Sequence, residues 1–372
     1  TKYLNIIILR SKLVEAINSC GVVVSNDSSG LPILKNVLIR VFEGKISFIA
    51  TNLEIIADVS VTGKVVSEGE ITVPCLVFSN IAKNLSSERV SLEQDGLKLK
   101  VLTDNYEAVV YGQSVDDFPV IKESAGAVKV FSASNSVLRN IFASTVIAVQ
   151  LSELRPEISG VYVYNNGGQV VFVGTDSFRL AERSLNIEAD DSCDFPGFIM
   201  PIKSVGDILR ILPENDEETS FFIDDNQVIL KNQTQKIISR LIDGNFPDYK
   251  QILPSEFAHE VRINRQEFLN AVKLVSSFSG KTSDVLVKIG EGKKFLEISS
   301  SNSALGENVY KIPAKVDGSV FTIAFNWRYI ADGLKVYRGD EVVLGVNNAD
   351  KPATIKSPTE PFLVYIVMPI RS

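Results

Sequence analysis

The sequence predicts an α+β chain of three similar domains, each made of two helices lying on antiparallel sheet, over residues 1–125, 126–254 and 255–372. Three observations carry this. A strand-helix unit occurs three times, a second strand-helix unit follows each at a steady interval, and each repeat closes on an apolar residue followed by proline.

The first unit reads IIILRSKLVEAI, VFSASNSVLRNIF and VRINRQEFLNAVKLV, with Leu13, Leu138 and Leu269 at the matching position, 125 and 131 residues apart. Apolar residues at helical spacing follow a strand-like run in each. The second unit reads ITVPCLVFSNIAKNL, FIMPIKSVGDILRIL and FTIAFNWRYIADGLKVY, and its anchors Pro74, Pro201 and Ala324 stand 127 and 123 residues apart. The closing prolines Pro119, Pro247 and Pro369 lie 45 or 46 residues beyond those anchors. Between the helices, VSLEQDGLKLKVL and EVVLGVNN alternate apolar with polar residues, as antiparallel strands with one face on a core do. DG, NNGG and DDNQ supply hairpin turns. The terminal YIVMPIRS is therefore a closing strand, apolar because it is paired and half buried.

Composition excludes several classes. At 45% hydrophobic and 22% charged, the chain is globular material, neither disordered nor collagenous. Cys20, Cys75 and Cys193 lie far apart with no CxxC pair, so neither a disulfide framework nor a zinc knuckle is expected. No basic leader with a small-residue cleavage site opens the sequence, and no stretch reaches 18 apolar residues, so a cytoplasmic protein is expected. The sequons at 26, 84 and 232 then carry no sugar. A net charge of −7 argues against a generally basic nucleic-acid binder.

The charge is unevenly spread. Six helical segments, residues 11–20, 75–89, 134–148, 202–212, 264–278 and 326–338, hold eleven Lys or Arg against five Asp or Glu, net +6, leaving −13 elsewhere. Helices sharing one side would present a basic layer to a polyanion. The candidate lining residues are Lys12, Lys83, Arg139, Lys203, Arg210, Arg265, Lys273, Arg328 and Lys335.

Catalytic signals are absent. His259 is the single histidine and no Ser/His/Asp set forms around it. SGKT at 279–282 lacks the glycine a phosphate loop needs at Val275, and it follows a helix where that loop follows a strand. Asp116–Asp117 and Asp224–Asp225 fall at turns, where Asp serves the backbone. No catalytic residue, metal or cofactor is expected.

The segments LPILKNVLI (31–39), TNLEI (51–55), GTDSFRLA (174–181), NFPDYKQILP (245–254) and YIVMPIRS, with the threefold repeat and basic helices, resemble the bacterial DNA sliding clamp family, the β subunit of DNA polymerase III. The similarity runs from near residue 4 to the end. It implies the DNA clamp fold: a head-to-tail homodimer whose three-domain subunits form half of a six-domain ring, helices lining the hole around duplex DNA. Such a ring is a processivity factor and not an enzyme, since topology replaces tight site-specific contact. A monomeric three-repeat scaffold that binds protein without encircling DNA is the alternative.

The resemblance further implies that the polymerase III α subunit, the clamp loader and other proteins with clamp-binding motifs insert a short peptide into a groove. By position that groove would hold Ile158, Thr175, Ser177, Phe178, Arg179 and Leu180, then Pro247, Gln251 and Ile252, then Ile366, Met368, Pro369, Ile370 and Arg371. Ile158 and Ile366 would serve equally as core. Where the family usually reads TDGHRLA, this chain has Ser177 and Phe178. Gln251 stands where Arg is common, Ser372 where an apolar residue is frequent, and Pro156 and Glu157 where aromatics occur. For the dimer, the strand around Tyr106 and Val109 is expected to meet Leu296 to Ser301, including Ile298, and the helix near Val275.

Overall fold

A computed structural model of the chain describes residues 3–24, 30–119, 126–187, 194–224, 226–290, 292 and 294–370. Its elements form three antiparallel sheets among the described residues. In the first, β5 (Gly63–Ser67), β1 (Asn5–Leu9), β7 (Arg89–Asp95), β8 (Lys98–Leu102) and β9 (Glu107–Tyr111) lie in that order. The second orders β10 (Val128–Ser134), β15 (Glu218–Ile223), β16 (Gln227–Lys231), β17 (Gln235–Arg240), β4 (Ile55–Val61), β3 (Lys45–Thr51), β2 (Asn36–Phe42) and β6 (Gly69–Pro74). The third begins with β14 (Phe198–Pro201), β11 (Gly160–Asn165), β12 (Gln169–Thr175), β13 (Arg179–Asn186), β25 (Leu363–Val367) and β24 (Ala353–Lys356). It continues through β23 (Glu341–Val346), β18 (His259–Asn264), β21 (Gly306–Asp317), β20 (Phe295–Asn302), β19 (Asp284–Ile289) and β22 (Phe321–Asn326).

Six helices fall close to the expected segments: α1 (Arg10–Val23), α2 (Cys75–Asn84), α3 (Asn135–Val146), α4 (Ile202–Ile211), α5 (Arg265–Val275) and α6 (Trp327–Val336). Each buries one stripe, as Leu13, Ala16, Ile17 and Cys20 do on α1 and Phe268, Leu269, Ala271 and Val272 on α5. The α2 helix stops at Asn84, five residues short of its expected end, because Arg89 already belongs to β7. Asparagine side chains start α5 and α6: Asn264 accepts from the Glu267 N–H at 2.9 Å and Asn326 from that of Arg328 at 3.0 Å.

By contacts the chain divides into two compact units, Thr1–Arg139 with Asp190–Asp194 and Lys203–Leu241, and Asn140–Ala189 with Phe195–Ile202 and Ile242–Ser372. Strand pairing explains why the middle repeat is shared out. In the first unit β17 pairs with β4, Ile237 facing Ala57 and Lys236 facing Asp58. In the second, β13 pairs with β25, Ala181 facing Tyr365 and Leu180 facing Ile366.

The repeat extends to hydrogen bonds. Thr51 donates its hydroxyl to the Ile55 carbonyl at 3.0 Å and accepts from the Leu53 N–H, while Asn52 accepts from the N–H groups of Glu54 and Ile55. Thr175, Ser177, Asp176, Phe178 and Arg179 reproduce every one of these bonds. Leu53 and Ser177 both take φ of +78°, the left-handed region where a glycine is unstrained.

Candidate partner-peptide groove and nucleic-acid interface

The turn after β12 positions the first wall of the expected groove. Its bonds leave Phe178 60% exposed while Thr175 and Leu180 are buried. Arg155 donates to the Ser177 hydroxyl at 2.9 Å, tying the Pro156–Ile158 segment, whose Ile158 is buried, to this turn. The closing strand supplies the second wall. Ile366 is buried against Leu180, the Met368 N–H bonds the Phe178 carbonyl at 2.8 Å, and the Ile370 N–H bonds the Ala324 carbonyl at 2.8 Å. Met368, Pro369 and Ile370 are half-buried. Arg371 lies outside the described residues. Pro247 is half-buried, while Gln251 and Ile252 are exposed, Gln251 donating to Asp248 at 2.7 Å.

Beneath these residues lies a layer that sequence reasoning missed. Tyr249 packs with Val171, Val173, Leu180 and Ile366, donates to Glu182, and shares a 2.7 Å hydrogen bond with Tyr164. Phe246 stacks on Tyr162 with centroids 4.7 Å apart. Burial and the Glu182 carboxylate hold the Tyr249 phenol well above its ordinary pKa. The only sequence signal was the aromatic after FPD.

Arg179 does not offer a spare cation to a peptide. Its guanidinium bonds Asp176 at 3.0 Å and Asp332 at 2.7 Å and lies over the Tyr329 ring at 4.5 Å. Burial works against the charge, but Tyr365, Asp332 and Asp176 outweigh it and hold the pKa above the ordinary value. Gly333 permits this cluster, since a Cβ there would meet the Tyr365 ring at 2.4 Å. Asp332 is 153 residues from Arg179, and no local motif announces the pair.

Seven expected lining residues, Lys12, Lys83, Lys203, Arg210, Lys273, Arg328 and Lys335, are exposed. Lys12, Arg210 and Lys335 pair with acids on their own helices, Glu15, Asp207 and Asp332. Arg139 and Arg265 do other work. Arg139 donates to the Leu212 carbonyl at 2.7 Å and to that of Leu209, and Arg265 to Gly339 at 2.8 Å and Leu334 at 3.4 Å. Arg10 treats Ala82 and Lys83 likewise. In each repeat an arginine of the first helix caps the carbonyl end of the second.

Two expected interface residues are core. Val275 is 1% and Ile298 0% exposed within the hydrophobic core of the second unit. Their β20 and α5 context explains it: β20 has β19 on one side and β21 on the other, so it has no open edge to offer. Tyr106 and Val109 are exposed, on the edge strand and the turn before it. Elsewhere in the second unit, Leu274 at 58% and Val309 at 59% are exposed instead.

His259 is a packing residue that accepts the Ser319 N–H at 3.0 Å. No cluster of three or more His, Cys, Asp or Glu able to hold a metal occurs among the described residues.

Family models of the DNA polymerase III beta subunit match this chain in order: the N-terminal domain over residues 4–122, the central domain over 133–248 and the C-terminal domain over 250–371. The chain belongs to the DNA polymerase III beta subunit family. A beta sliding clamp from Bacillus subtilis is 27% identical over 382 residues, spanning 98% of this chain and 99% of that protein. One from Staphylococcus epidermidis is 28% identical, spanning 92% and 93%. The crystal structure of the DNA polymerase sliding clamp from Bacillus subtilis superposes with a TM-score of 0.93 at 26% identity, covering all of both chains. That of the DNA polymerase III subunit beta from Pseudomonas aeruginosa gives 0.93 at 26%, covering 99% and 100%. Sliding-clamp architecture is thus the fold of this chain, α+β with few helices on large antiparallel sheets.

Proposed function

We propose that two copies of this chain close head to tail into a ring that slides on duplex DNA and holds the replicative polymerase and other partners by short peptides. The chain is a DNA sliding clamp, and the reading places it in the cytoplasm, on DNA. A monomeric scaffold is not favoured.

The observation that carries closure is the strand pairing within the chain. The strand after the Thr51 turn pairs with a closing strand, β4 with β17, and the strand after the Thr175 turn does the same, β13 with β25. Two elements of these kinds are left over. β9 is the closing strand of the first repeat and ends its sheet. β21 is the post-turn strand of the third, and its first part, Gly306–Pro313, pairs with β20 alone among the described residues. Unpaired edges of this kind invite another chain. Matching Ile237 to Ala108 and Ala57 to Asn308 through the hairpins, the register seen at β4–β17 sets Tyr106 opposite Tyr310 and Glu107 opposite Val309.

That register is testable. Val309→Glu would face Glu107 with like charge and Val309→Lys with opposite charge, at an exposed site that leaves folding alone. Sedimentation velocity should show the glutamate variant dimerising about fivefold less tightly than the lysine variant. Equal constants would refute the pairing. On DNA, the exposed bases without an acid within 4 Å among the described residues, Lys83, Lys203, Lys273 and Arg328, form the proposed sliding surface. Reversing them should weaken retention on circular DNA with a salt dependence and leave melting unchanged.

For partners, Phe178, Ile252, Met368, Pro369 and Ile370 supply an adaptable apolar surface for an extended peptide, with Pro247, Gln251 and Ser177 beside it. Met368→Ala should remove on the order of 1–2 kcal/mol of affinity for a Gln- and Leu-containing peptide, with dimer and fold intact. Unchanged affinity would leave the closing strand as packing only.

A further inference from the structure

The β4–β17 junction in the first unit carries a cleft of about 400 Å³ that the peptide reading of the β13–β25 junction does not use. Leu38, Ile49, Ile56, Phe118 and Ile238 line it with apolar surface, within the size range of small-ligand and peptide-side-chain sites. Its ionic lining is unbalanced. Asp58, Glu70 and Asp116 face Arg40 and Lys236, and both cations are already engaged. Arg40 bonds Glu70 at 2.8 Å, and Lys236 sits 3.7 Å from one oxygen of Asp58, too far for a hydrogen bond. The other Asp58 oxygen is buried with no hydrogen-bond partner. Among the described residues Asp116, on the rim, accepts from the Ser114 hydroxyl at 2.9 Å, and its own N–H donates back to that hydroxyl. A mostly buried carboxylate with an unused acceptor is costly alone and favours a donor brought by a ligand.

We propose that this cleft is a second docking site of the clamp, for a short extended peptide with a Lys or Arg between bulky apolar side chains. The apolar residues of the peptide cover Leu38, Ile49, Ile56 and Ile238. Its cation approaches Asp58 and Asp116, making the charge-assisted bonds those groups lack. The two sites then sort partners by sign. At β13–β25 the mostly buried Arg179 is satisfied internally, and at β4–β17 the excess charge is negative.

The test titrates the full-length protein with two fluorescein-labelled, amidated pentapeptides, one with a central Arg flanked by Leu and Phe, the other with Glu in its place, read by anisotropy. The Arg peptide should bind saturably and at least about tenfold tighter than the Glu peptide, the equivalent of one charge-assisted bond. Asp116→Lys, at an exposed rim position that cannot disturb the core, should weaken it about fivefold, and Asp58→Asn about tenfold, both with unchanged melting temperature. Met368→Ala should leave it unaffected. Three results would each overturn the proposal: no saturable binding of the Arg peptide, equal binding of the two peptides, or sensitivity to Met368→Ala with none to the two aspartate variants.

Discussion

β4 meets β17 and β13 meets β25 through the same antiparallel pairing and beside the same turn, yet the outer faces of the two junctions are filled in opposite ways. Matching strands carry matching carboxylates, Asp58 and Glu182. Asp58 lines a cleft with a distant lysine on one oxygen and no hydrogen-bond partner for the other, which is buried. Glu182 accepts from Tyr249, part of an aromatic layer with Tyr162, Tyr164 and Phe246. The described residues after each closing strand differ too. VDDFPV delivers Phe118, which packs on Ile33, Leu34 and Leu38, whereas NFPDYKQI delivers a tyrosine two residues beyond its proline. Backbone pairing is thus indifferent to what covers it.

The comparison breaks hardest at Tyr249. Tyr249→Ala removes a buried ring and strands Glu182, so urea denaturation should show a loss of about 3–5 kcal/mol. A loss near 1 kcal/mol would mean that the aromatic layer packs no better than the open cleft. Next is charge. Arg179→Ala leaves Asp176, whose side chain is 2% exposed, without its counterion and should cost about 3 kcal/mol. Arg40→Ala breaks an ion pair whose partners are 47% and 39% exposed, and should cost less than about 1 kcal/mol by the same measurement.

Alkaline pH gives a smaller contrast, confined to the packed junction. Tyr249 and Tyr365 have raised pKa values, chiefly from burial, so the native state keeps protons that the unfolded chain releases near pH 10. The stability that these two tyrosines contribute is then full below about pH 10 and is lost as pH rises beyond it. Tyr249→Phe should flatten that fall. In an absorbance titration, the tyrosines ionising only with unfolding should drop by one.

Much of the fold was legible because it follows from local pattern. Helices began where strand-like runs gave way to apolar residues at helical spacing, and the Thr51 and Thr175 turns are built from bonds spanning at most four residues. The groove was legible only as a set of positions, and the roles of its members were not. Arg179 read as a cation for a ligand until Asp332 took it, and Val275 read as interface until the core of the second unit enclosed it. Arg139 and Arg265 read as DNA contacts, since the carbonyl end of the second helix, some 70 residues on, cannot be seen in spacing.

By itself, then, the sequence determined the three repeats and the six helices, because hydrophobic period and turn chemistry are properties of neighbours along the chain. Which carboxylate meets which cation, which strand keeps an open edge and which junction keeps a cleft were decided only in the tertiary structure. Those outcomes depend on groups tens to hundreds of residues apart, whose desolvation and pairing energies exist only once the chain has brought them together.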